Sequence, residues 1–270
     1  MTKALVWAKE LAYEEAVTRY DKARVARQFS RAADSYVKHD YLQRRVAEVL
    51  IEQLKPSPGP LLDLGCGPAH HAPKLARCAE QYVGVDIASA MLTKAQQNYP
   101  AGAWLGADME LLPFANASFS TLYSNLAMQW GNNLSQLLRE WVRVLRPGGQ
   151  LLCSTVLAGS MWPLGECFAQ LDGQPHHNRW HSANGIRHQL AQLPGKFEVA
   201  ERHFCIDYQT LRDMLGDLKG IGANYTVRDS QAGFSKTRLQ RLTATMENYR
   251  TGSGKLELHW NIGLITGRKS

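Results

Sequence analysis

The sequence predicts an α/β protein built on a mostly parallel sheet. Three observations carry this. Short apolar runs alternate with helical stretches, the first run ends in a glycine turn, and carboxylates follow successive runs. Strand–helix alternation calls for parallel strands, because a right-handed crossover helix is what joins them, and ligands then bind at the strands' carboxyl ends.

Residues 1–54 read as a helical N-terminal extension, with Val46, Val49, Leu50 and Leu54 at three- and four-residue spacing. Lys55-Pro-Ser-Pro-Gly-Pro60 ends it. Residues 55–270 form the main domain. Strands are expected at 61–64, 82–85, 103–105, 119–123 and 150–156, with helices near 71–79, 88–98 and 133–145. A Gly-, Pro- and His-containing insertion at about 158–195 precedes a sixth strand over 197–206. A largely helical insertion at about 208–250 precedes the last strand, 256–266.

The 270 residues, 44% hydrophobic and 20% charged, suffice for one large α/β domain with a real core. Five cysteines without a C-x-x-C pair fit a reducing compartment. The first ten residues break their apolar run with charge, and no stretch of 18 apolar residues occurs, so a soluble cytoplasmic protein without membrane association is expected. The net charge of +7 favours an acidic partner. The basic residues are dispersed among acids, which argues against nucleic acid and leaves an acidic carrier protein or a small anion open.

The strongest local signal is Leu61-Leu-Asp-Leu-Gly-Cys-Gly-Pro68, a buried strand running into an Asp-x-Gly-x-Gly turn. Gly65 and Gly67 permit a tight turn and let a ligand touch the backbone. The third glycine of a dinucleotide fingerprint is missing, since Pro68, Ala69, His70 and His71 follow. The alternative is S-adenosylmethionine. Asp63 suits its α-ammonium, and Asp86 at the end of the second strand suits its ribose hydroxyls. Asp108 can accept from the adenine amino group, with Met109 packed on the ring. Cys66, Ile87 and Met91, beside these turns, belong to the same expected site. Cys66 has no adjacent base and reads as a packing residue.

Asp-Leu-Gly-Cys-Gly-Pro, Gly-Val-Asp, Ala-Asp-Met-Glu-Leu-Leu-Pro-Phe and Leu145-Arg-Pro-Gly-Gly149, in that order, resemble the motifs of class I methyltransferases. The resemblance implies their Rossmann-like fold, a mostly parallel sheet with an antiparallel last strand, helices on both faces, an N-terminal helical lid and a helical insertion before the last strand. From about residue 21 the chain also resembles the malonyl-acyl-carrier-protein O-methyltransferases of biotin synthesis. Phe29-Ser-Arg-Ala-Ala-Asp-Ser-Tyr36, Ser124-Asn-Leu-Ala-Met-Gln-Trp130, Pro175-His-His-Asn-Arg179 and Leu218-Lys-Gly-Ile-Gly-Ala223 carry that resemblance. It implies methyl transfer from S-adenosylmethionine to the free carboxylate of malonyl-acyl carrier protein, hiding a charge so that fatty-acid enzymes extend the disguised primer. The core motifs alone also fit a methyltransferase of another small acid or a quinone precursor, or a noncatalytic S-adenosylmethionine-binding module.

Within that resemblance the expected catalytic residues are Tyr36 on the lid, Asn125 at the end of the fourth strand and Arg179 as a one-sided partner of the carboxylate. Ser124 is expected at the same ligand-binding edge, within the cofactor site, and Gln129 and Trp130 in the same pocket. The reaction asks for positioning and no acid/base pair. Lys219, Arg228, Lys236, Arg238 and Arg241 are candidates for docking the acidic carrier protein. His176, His177, His181 and His188 cluster without a completing Cys or carboxylate set, so no metal site is expected.

Overall fold

The computed structural model describes residues 19–173, 178–222 and 235–270. Strands β1 (Pro60–Leu64), β2 (Gln81–Asp86), β3 (Ala103–Gly106), β4 (Phe119–Asn125), β5 (Leu145–Val156), β6 (Gly195–Tyr208) and β7 (Leu256–Lys269) form one sheet ordered β3-β2-β1-β4-β5-β7-β6. The pairs among β1 to β5 are parallel, and β7 runs antiparallel to both β5 and β6. The order reverses between β1 and β4, which opens a crevice at their carboxyl ends.

The pleat sorts each strand's residues between two cores. Leu61 and Leu152 face one buried cluster with Leu42, Val46 and Leu50, while Leu62 and Leu151 face another with Leu137, Leu138 and Trp141. Both faces are apolar, so the central strands read as continuous hydrophobic runs.

Before β1 stand α1 (Lys22–Ala32), α2 (Tyr36–His39) and α3 (Tyr41–Ile51), so the helical reading of residues 1–54 holds as separate helices where the chain is described. Residues 1–18 lie outside the described part. Between strands lie α4 (Ala72–Leu75), continued by a 3-10 turn (Ala76–Cys78), α5 (Ser89–Asn98) and α6 (Leu134–Val144). Later come α7 (Leu164–Asp172), α8 (Ala183–Leu190), α9 (Leu211–Gly220) and α10 (Lys236–Glu247).

Two differences from the sequence reading have physical causes. β5 starts at Leu145 and not at Gln150, because Leu145 pairs with Phe119 across a register shift that absorbs the Arg-Pro-Gly-Gly segment. The 158–195 insertion also holds α7 and α8. Ser182 caps α8 by accepting from the Gly185 N–H, and Ile186 and Leu190 are buried. The surrounding Gly, Pro and His hide that short period.

Candidate active site

β1 delivers the chain into the Gly65-Cys66-Gly67 elbow. The Gly65 and Cys66 N–H groups both donate to the Val85 carbonyl, at 2.8 and 3.1 Å, which locks the elbow onto β2. Gly65 (φ +69°) and Gly67 (φ +53°) are left-handed, a conformation costly for residues with a Cβ. A Cβ on Gly65 would sit 2.3 Å from the Ala127 Cβ, whereas one on Gly67 would meet no protein atom within 4 Å. Gly67 lines a cleft of about 670 Å³.

Asp86 ends β2 and accepts from the Gly67 N–H at 2.9 Å and the Ala88 N–H at 2.8 Å. Burial pushes its carboxyl above the usual range, and these backbone donors oppose the rise. One oxygen is thus directed at each loop.

Past β3, the Asp108 carboxylate accepts from the Glu110 N–H at 3.0 Å. Lys22, on α1, lies 3.1 Å from Asp108 and 2.6 Å from Glu110. Glu110 in turn accepts from the Asn132 and Asn133 N–H groups at 2.9 and 2.7 Å. The lid helix is therefore clasped to the loop after β3.

Tyr36, Gly65, Gly67, Asp86, Ile87, Met91, Asp108, Met109 and Asn125 all line this cleft, together with Lys22, Phe29 and Trp130. Four expected site residues are placed elsewhere. Asp63 is buried behind the elbow and accepts from the Tyr82 hydroxyl at 2.5 Å. The Cys66 sulfur faces Gly84, whose Cβ would stand 3.1 Å from it, and burial pushes the thiol up. Ser124 is buried and donates to the Leu64 carbonyl at 2.9 Å, joining β4 to β1. Arg179 is exposed, while its neighbours Asn178 and Trp180 turn inward.

A second cavity of about 580 Å³ shares Phe29, Tyr36, Leu126 and Trp130 with the first and continues past them. Leu42, Val156, Met161, Trp180 and Trp260 give it an apolar wall, with Gln43, Gln129 and Asn178 as polar groups. Tyr36 stands at the junction. Burial first, then Asp40 and Asp86, raises its hydroxyl well above the ordinary tyrosine range, so it remains a proton-bearing donor. Asn125 is held on both sides: its amide donates to the Gln43 carbonyl at 3.0 Å and its carbonyl accepts from the Ser154 hydroxyl at 2.7 Å.

Sequence reasoning missed Lys22, Gln43 and Trp260. Each comes from a helix or strand remote in sequence, and no local motif marks it. His176, His177 and Arg228 lie outside the described residues. Burial lowers His181 to about 4, which leaves it neutral.

Burial also pushes the Asp63 carboxyl up to about 7, with the Tyr82 hydrogen bond opposing and Asp86 adding to the rise. An acid whose native pKa is raised favours folding below its unfolded pKa, near the ordinary carboxylate range, and loses that contribution as pH rises to about 7. Denaturation curves at pH 5 and pH 7.5 are expected to show Asp63→Asn gaining on wild type at the higher pH. The gain is at most about 1.4 kcal/mol per pH unit across that window. A constant difference between the two proteins would contradict it.

Residues 62–153 match the family model described as a methyltransferase domain. The malonyl-[acyl-carrier protein] O-methyltransferase of Enterobacter lignolyticus is 32% identical over 249 residues, covering 91% of this chain and 98% of that protein. The enzyme of that name from Serratia marcescens is 34% identical, covering 91% and 96%. Among solved structures, the YcgJ protein of Bacillus subtilis superposes with a TM-score of 0.62 at 18% identity, covering 84% of this chain and 98% of that one. Geranyl diphosphate C-methyltransferase of Streptomyces coelicolor gives a TM-score of 0.50 at 17% identity, covering 83% and 78%. At such identities the structures speak for the Rossmann-like methyltransferase fold, and the curated relatives for the family. The chain belongs to the malonyl-[acyl-carrier protein] O-methyltransferase family.

Proposed function

We infer that this protein transfers a methyl group from S-adenosylmethionine to the free carboxylate of malonyl-acyl carrier protein. The observation that carries the reading is a carboxylate-tipped cleft beside a glycine elbow, joined at Tyr36 to a second, mostly apolar cavity. When bound, S-adenosylmethionine supplies a sulfonium-activated methyl group.

The protein's residues divide the remaining work. Gly67 lets the donor approach the backbone, Asp86 accepts from the ribose hydroxyls, Asp108 accepts from the adenine amino group and Met109 packs against the ring. Tyr36 orients the carboxylate at the junction. The malonyl oxygen forms the new bond to carbon, the carbon–sulfur bond breaks, and its electron pair stays on sulfur. No proton moves, so no base is needed; positioning in a water-poor pocket supplies the rate, with a ceiling of roughly 7 to 11 kcal/mol.

Neutralising the carboxylate as an ester suits a primer destined for fatty-acid chain extension toward biotin. A relative named biotin biosynthesis bifunctional protein, from Cellvibrio japonicus, is 34% identical over 93% of this chain, which spans 51% of that protein. Among the described residues no helix is long and apolar enough to cross a membrane. The protein's proposed place of action is the cytoplasm.

Lys219, Lys236 and Arg241 are exposed on α9 and α10, with Arg238 half-buried, and form the proposed docking face for the acidic carrier protein. Reversing charge at Arg238 and Arg241 together is expected to raise KM for the carrier substrate about three- to tenfold at low salt, with kcat preserved and the difference shrinking as salt is added. Unchanged kinetics at low salt would remove this docking face.

Mass spectrometry of malonyl-acyl carrier protein after incubation with protein and donor tests the reaction: one methyl gained on the malonyl group is expected. Methylation of free small acids or a quinone precursor instead would overturn the substrate assignment.

A further inference from the structure

We propose that Trp260 reads the thioester carbonyl of the acyl acceptor through its indole N–H, and so sets selectivity for a carboxylate that has a second carbonyl one methylene away. This rests on the proposed function and names the group that fixes the acyl chain in the second cavity.

Trp260 is 6% exposed, lines the second cavity, and its Nε1 is buried with no hydrogen-bond partner. A buried N–H left unpaired destabilises a fold, so native proteins rarely leave one without a reason. Here the reason is an acceptor that arrives with the ligand. The indole is held in place by its position in β7 opposite Phe204 and by Trp180, whose ring centroid lies 6.4 Å away. Its direction is thus set before any ligand enters.

Placement follows from the sheet. Val156, the last residue of β5, pairs with Ile262, so Trp260 lies just beyond the ends of the parallel strands, on the side of the elbow. A malonyl carboxylate that meets the methyl group at the Tyr36 junction leaves its thioester carbonyl, one methylene away, on the second-cavity side.

Two of the other polar groups there are wholly or partly committed elsewhere or offer an acceptor. Gln129 donates to the Leu126 carbonyl at 2.6 Å and accepts from the Thr155 hydroxyl at 3.3 Å. The unpartnered atom of Gln43 is its Oε1, an acceptor. A neutral N–H on the thioester carbonyl also fixes the acyl group without placing a cation on the attacking carboxylate, which keeps it nucleophilic.

The test compares two carrier-bound acceptors, the malonyl thioester and a thioether in which CH2 replaces the thioester carbonyl, with wild-type protein and Trp260→Phe. Wild type is expected to favour the thioester in kcat/KM by at least about tenfold. Trp260→Phe should bring that ratio close to one while its affinity for S-adenosylhomocysteine, measured by calorimetry, stays unchanged. An undiminished ratio in the folded variant would overturn the inference. So would a ratio near one in wild type, a result that needs no variant. Wild type that binds S-adenosylhomocysteine but methylates neither acceptor would remove the proposed function itself, and this inference with it.

Discussion

Replacing Asp86 with alanine is expected to weaken S-adenosylhomocysteine binding about a thousandfold, measured by isothermal titration calorimetry. The two charge-assisted hydrogen bonds proposed from the ribose, each worth about 1.5–3 kcal/mol, would vanish together. The same carboxylate accepts from the Gly67 and Ala88 N–H groups, so its loss also frees the elbow from the loop after β2. Asp86→Asn keeps the shape and one acceptor oxygen, and is expected to fall between the two. A variant that bound the nucleoside as wild type does would show that the sugar lies elsewhere.

The two glycines of the elbow are expected to fail in different ways. Gly67→Ala places a methyl group where no protein atom lies within 4 Å, so the fold absorbs only the left-handed backbone strain, roughly 1–2 kcal/mol. The methyl would occupy the space proposed for the donor, and affinity should drop at least about 100-fold in a protein that still melts cooperatively. Gly65→Ala drives a Cβ to within 2.3 Å of the Ala127 Cβ and carries the same strain. Its expected signature is lost stability, about 3 kcal/mol and roughly 10 °C in thermal melting. If Gly67→Ala kept full affinity, the open space beside it would not be the donor site.

Most of the sheet was legible because its strands are buried on both faces. Leu61-Leu-Asp-Leu64 and Leu151-Leu-Cys-Ser154 show as apolar runs whichever core each residue enters. The cleft was legible for a related reason: Gly65, Gly67, Asp86, Asp108 and Met109 sit at strand ends, where topology forces neighbours in space.

Side-chain direction was not legible. Asp63 and Ser124 lie on the same strands, but the pleat turns them inward to Tyr82 and to the Leu64 carbonyl. Arg179 carries the charge that drew attention to it, yet the inward positions belong to Asn178 and Trp180. Lys22 reaches Asp108 and Glu110 across a sequence gap that no periodicity spans.

The position of β7 has a consequence for biogenesis. Because Leu256–Lys269 is inserted between β5 and β6, a nascent chain that has emerged only as far as α10 holds two long strand edges with nothing between them. Exposed edges of that length are templates for pairing with other chains, and so distant a closure is slow to form. Synthesis of this protein therefore passes through a stage at which nearly all of the cleft's residues have been made and the sheet that must hold them is still split, waiting for one final ribbon to zip it shut.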